Sequence, residues 1–210
     1  MDELQYIVHL FQRGGLVMYP LLLCSLAAVG IAVERSYYYR HHWRRGDAFA
    51  GQIRSTLAAG DWTAAITICE QFDTVISRTV KAGLIYANCP GMGAMTVKEA
   101  FEERMAVEIT GLKRHLDYLS AIVTVAPLLG LLGTVIGMIG TFNVMDASGG
   151  GAAAITGGVG EALVATAAGL SVAVIAFFIH TFFAHRFEQV VKDAEDMCFV
   201  VLGYKRGAEA

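Results

Sequence analysis

Three stretches of this chain are too long, too apolar and too poor in charge for any fold but one that crosses a bilayer. Residues 14–33 hold no Lys, Arg, Asp or Glu, residues 118–145 form a second uncharged run, and residues 155–183 form a third broken only by Glu161 and His180. At 1.5 Å per residue, about 20 apolar residues make a helix of about 30 Å, the thickness of the hydrocarbon layer. A soluble helical core could bury one such segment, but hardly three within 210 residues. The predicted fold class is therefore all-α membrane protein, with three transmembrane helices and long helical extensions into water. Composition agrees: 17% of residues are charged, against about 25% in an ordinary soluble domain.

Basic residues orient the spans. Fifteen of the 16 Lys and Arg fall within 35–114 or 186–206, only Arg13 precedes the first span, and the linker between spans two and three has none. Basic residues beside span ends stay in the cytoplasm. The expected layout is a periplasmic N-terminus (1–13), a first span (14–34), a cytoplasmic helical region (35–115), a second span (116–143), a short periplasmic turn (144–156), a third span (157–184) and a cytoplasmic C-terminal helix and tail (185–210). Arg35, Arg40, Arg44 and Arg45 anchor the inner end of the first span, with Tyr37–Tyr39 and Trp43 as its interfacial belt. Glu34–Arg35 reads as an anchor or a salt bridge. The N-terminus is acidic and lacks a small-residue cleavage site, which favours a retained anchor over a cleaved signal. Within the cytoplasmic region Asp61 is placed to cap a short helix and a second helix covers about 74–87. Thr96, with Glu99 three residues on, has the spacing of a capping box opening a long helix that runs into span two.

Glu161 is the only ionisable side chain from 147 to 179. An ionisable group inside a span is costly, roughly 2.5 to 3.5 kcal/mol on insertion scales, and ordinarily serves an ion pathway or a binding site. It follows Gly157, Gly158 and Gly160 and is expected in the first turns of a helix capped by Thr156; a hydrated carboxylate at the outer interface is the alternative. In span two Pro127, Thr134 and Thr141 recur every seven residues, and Gly130, Gly133 and Gly137 thin one side so that another helix can approach, Gly133 and Gly137 making a GxxxG. The threonines could equally bond their own helix carbonyls. Span three adds Thr166, about 140° around an ideal helix from Glu161, and His180, which suits an interfacial structural role.

Several classes are excluded. No basic block interleaved with aromatics suggests nucleic acid. Cys24, Cys69, Cys89 and Cys198 lack metal-ligand spacing and read as free thiols, so no metal and no cofactor are expected. No GxSG with a partnering histidine and no pair of intramembrane aspartates points to a protease, so no catalytic residue is assigned.

The segments APLLGLLGTVIGMIGTF in span two and GVGEALVATAAGLSVAV in span three resemble the MotA/TolQ/ExbB proton channel family, closest to its ExbB and TolQ members. The order of segments also matches, from a first span ending in Glu34–Arg35 to a short Gly-rich outer turn. The resemblance implies a homo-oligomeric ring, a pentamer, around the single transmembrane helices of an ExbD- or TolR-like partner carrying an aspartate. It implies proton passage that drives work through a TonB- or TolA-like protein in the inner membrane of a bacterium. The family's channel glutamate falls on Glu161 and its polar pore threonines on Thr134 and Thr166. Carboxyls ringed in low dielectric cannot all carry charge at once, which suits them to proton exchange. The chain differs from the family where Val174–Ile175–Ala176 continues without a proline and where His180–Thr181 replaces Tyr-Asn. Two other readings stay open: a sodium-coupled, stator-like subunit, and a non-conducting membrane scaffold.

Overall fold

The structure is a computed structural model that describes residues 14–89, 91–148 and 152–209. It is helical throughout: α1 (Met18–Ala58), α2 (Trp62–Gln71), α3 (Val75–Ala87), α4 (Ala94–Ser148) and α5 (Ala152–Glu209). Three of these helices, α1, α4 and α5, contain stretches long and apolar enough to cross a membrane. The expected periplasmic residues 1–13 and the last residue of the tail lie outside the described residues.

The first helix runs unbroken from the first span into the helical region that follows it, to Ala58. It ends there because Gly60 takes a left-handed backbone (φ +75°) and its N–H returns to the Leu57 carbonyl at 3.0 Å. No capping box forms at Thr96: α4 already begins at Ala94, and the Thr96 N–H bonds the Gly93 carbonyl at 3.1 Å. Thr156 does not cap α5, which starts four residues earlier on Ala152–Ala154, the strongest helix formers available. The turn expected over 144–156 is correspondingly narrowed, since α4 continues to Ser148; only 149–151, all glycine, lie outside the described residues.

The chain divides into two compact units, one of residues 1–33 and 117–181, the other of 34–116 and 182–210. The first unit is packed inside out by the standards of a soluble protein. Its buried positions on α5 are Ala162, Ala165, Gly169, Ala173 and Ala176, while Leu163, Leu170, Val174, Ile175, Phe177 and Phe178 are exposed. Along α4 Leu128, Leu131, Val135, Ile139 and Phe142 also face outward, while Leu119, Ile122 and Ala126 are buried. An apolar exterior of this extent is unfavourable in water and neutral in lipid, where helix association relies on close backbone packing instead.

The second unit is packed as a soluble domain is. Phe49, Ile53 and Leu57 of α1, Cys69 of α2, Val80 and Leu84 of α3, Val97, Phe101 and Met105 of α4, and Met197 and Val201 of α5 close one buried cluster. Asp61 caps α2 by accepting the Ala64 N–H at 2.9 Å, as its position predicts. At α3 a reciprocal capping box forms between Thr74 and Ser77, both buried. Burial pushes the Cys69 thiol up to about 12 and the Cys198 thiol to about 11, so both are inert free thiols at neutral pH.

An ion-pair network joins α3 to α4. Arg78 donates two hydrogen bonds to the Glu108 carboxylate at 3.0 and 2.9 Å, and Arg104 adds a third at 2.5 Å. Burial by itself would raise the Glu108 pKa, but the two guanidiniums outweigh it and hold the group below its usual range. A depressed carboxyl stabilises the fold above its unfolded pKa, and that contribution fades as pH falls through the folded value. Glu108→Gln is therefore expected to destabilise the protein at pH 7 by about 1 kcal/mol, after allowance for solvent screening. The deficit should shrink as pH falls below the range of an unfolded carboxyl and vanish once the folded group is itself protonated. Thermal unfolding of both proteins across that span of pH checks it; an equal deficit at both ends would assign the loss to packing.

Candidate ion-pathway site

In the first unit α4 and α5 meet along a seam where backbone touches backbone. A Cβ added at Gly169 would lie 2.7 Å from the Ala126 carbonyl oxygen and 2.9 Å from the Gly130 Cα. One added at Gly130 would lie 3.1 Å from the Ala165 oxygen. Further along, Gly133 faces the Ala165 methyl, Gly137 faces Ala162, and Gly158 faces the Thr141 hydroxyl. The glycines of the GxxxG, together with Gly130, thus stand where the two helices approach closely. Pro127 supplies no N–H for the preceding turn, yet α4 continues through it.

The candidate polar residues are distributed around this seam. The Thr166 hydroxyl crosses it and donates to the Gly130 carbonyl at 3.1 Å. The Thr134 hydroxyl instead bonds the Leu131 carbonyl of its own helix at 2.6 Å, and Thr141 bonds Gly137 at 2.8 Å. Glu161 is exposed on the single chain, and its carboxyl lies against Gly15 at the head of α1. Among the described residues no hydrogen bond joins Glu161 to Thr134 or Thr166. One chain therefore unites Thr166 with Gly130 but keeps Glu161 apart from both threonines. Helical periodicity anticipates the separation of Glu161 and Thr166; it carries no sign of the Gly15 contact, because the two residues are on different helices.

A second polar cluster, in the other unit, surrounds the Glu34–Arg35 pair; the part His115 plays in it had no signal in the sequence. Arg35 is buried, lies over the Tyr38 ring and donates to His115 Nδ1. Guanidinium can only donate, so Nδ1 accepts and the ring proton sits on Nε2, which faces the Glu34 carboxylate at 3.5 Å. Burial and the Arg35 charge lower the His115 pKa. Glu34–Arg35 is therefore not a mutual salt bridge: the two flank one imidazole, and with Tyr38, Glu108 and Leu112 they line a cavity of about 260 Å³. Among the described residues no group of three or more His, Cys, Asp or Glu is placed to hold a metal.

Three long apolar helices, two of them packed glycine against backbone, define a multi-pass helical membrane protein. Residues 71–196, more than half of the chain, match the MotA/TolQ/ExbB proton channel family, and the chain belongs to that family. It is 36% identical over 174 residues to the biopolymer transport protein ExbB-like 1 of Synechocystis sp., covering 80% of this chain and 67% of that one. The exbB1 biopolymer transport protein of Vibrio cholerae is 30% identical over 185 residues (83% and 76%). The ExbB protein of Neisseria gonorrhoeae is 30% identical over 196 residues, 87% of each chain. The family is one of membrane channels, not of enzymes, and its ExbB members are the relatives found here.

Proposed function

We propose that the chain is a proton-conducting motor subunit of the bacterial inner membrane, with Glu161 as the group that exchanges protons and Thr134 and Thr166 as polar groups along the path. Five copies form a ring around the span of an ExbD- or TolR-like partner. Proton flow there is coupled, through a TonB- or TolA-like protein, to outer-membrane transport or envelope maintenance. The N-terminus lies in the periplasm and the second unit, with its soluble-type core, in the cytoplasm.

The observation that carries this reading is the placement of Glu161. It is exposed on the single chain, among apolar side chains, with no ion pair among the described residues. A carboxyl set within an apolar span is costly and ordinarily serves an ion pathway or a binding site. A second reading, a non-conducting scaffold, draws on Thr166 and Thr134, whose hydroxyls are engaged in helix bonds. The test is proton uptake by liposomes that hold the chain copurified with its single-span partner, under an imposed potential. Uptake above empty liposomes is expected. An intact complex that passes no protons would favour the scaffold, and one that passes only sodium would favour the sodium-coupled alternative.

A further inference from the structure

We infer that Gly15, at the head of α1, is a positioning residue for the Glu161 carboxyl; the inference rests on the reading of Glu161 as the proton-exchanging group. Two features meet at this position, one that favours glycine itself and one that couples it to the carboxyl. Its backbone is left-handed, at φ +68°, a conformation other residues adopt at a cost. A Cβ there would also stand 2.5 Å from Glu161 Oε1 and 3.6 Å from its Cδ, closer than any side chain can be seated without moving the carboxyl.

The turn that bears Gly15 is not free to yield. Its carbonyl accepts the Met18 N–H at 3.2 Å, and the Val17 carbonyl accepts the Leu21 N–H at 3.3 Å. Val17, Met18 and Leu21 are all buried, and Val17 packs within ordinary contact of the position a Gly133 side chain would take. The elements gathered here, residues 14–33, 133–141 and 152–179, bring no Lys, Arg, His or second carboxyl to Glu161. What the carboxyl lies against is thus a bare backbone turn on a different helix. Any side chain at 15 turns that seat into a wedge and pushes the carboxyl toward the open side.

The test is a double-mutant cycle on proton flux, in liposomes holding the chain with its single-span partner. Gly15→Ala should lower flux by about tenfold or more, as misplacement of a reacting group by about 1 Å can do. Glu161→Asp withdraws the carboxyl by one methylene, so Gly15→Ala/Glu161→Asp should conduct within about threefold of Glu161→Asp alone. Additive losses would mean that backbone strain, not the carboxyl, is what alanine disturbs, and would overturn the inference. Should Gly15→Ala fail to assemble, Gly15→Asn, which tolerates left-handed backbone, carries the same cycle. Glu161→Gln run alongside separates the two levels. If it conducts as wild type does, the proton-site reading itself is wrong; if it is silent while Gly15→Ala conducts normally, only the role of Gly15 is.

Discussion

Glu161→Gln is expected to reduce proton flux through the intact complex to the leak of empty liposomes. The amide matches the carboxyl in size and keeps its hydrogen-bonding capacity, but it cannot take up and release a proton near neutral pH. Packing is expected to be unaffected, because Glu161 is exposed on the single chain and makes no ion pair among the described residues. The measurement is flux together with copurification of the partner. Full assembly with no flux is the predicted pair of results. Flux equal to wild type would move the proton path elsewhere, and loss of assembly would make Glu161 a helix-packing group.

Gly169→Val should produce the largest loss of stability in the first unit. Overpacking a core typically costs 1–3 kcal/mol, since neighbouring side chains shift to admit the added atoms. Here the obstacles are the Ala126 carbonyl oxygen at 2.7 Å and the Gly130 Cα at 2.9 Å, and backbone cannot rotate out of the way. The helices must separate, which also breaks the Thr166–Gly130 hydrogen bond, so a cost of about 3 kcal/mol or more is expected. Gly169→Ala should fall between valine and wild type. Unfolding midpoints of the three proteins in detergent check the order; a valine variant as stable as wild type would show that the helices are farther apart than described.

Much of this was legible in the sequence. Uninterrupted apolar runs fix spans because nothing else satisfies their length, and Glu161 stands out by its solitude. The glycines of span two announce close packing, and the seam uses them. Contacts between helices were not legible. Periodicity places residues on a face but does not say which helix that face meets, so the bond from Thr166 to Gly130, the flanking of His115 by Arg35 and Glu34, and the Gly15–Glu161 contact had no signature. Helix ends misled for a local reason. Capping-box spacing at Thr96 and a threonine before glycines at Thr156 are both valid N-cap signals, yet alanines upstream of each let the helix begin earlier.

The seam between α4 and α5 also decides how mutagenesis will see this molecule. Built almost wholly of glycine and alanine, it offers next to nothing that truncation could remove. A large-to-small scan would outline the aromatic and aliphatic cluster around Phe49 and Leu84 and leave the seam nearly blank, as though it were dispensable. Only a scan that adds volume would reveal it. Sequence drift along this line should accordingly be asymmetric, free to exchange the outward leucines and isoleucines for one another and closed to the gain of a single methyl group at Gly169.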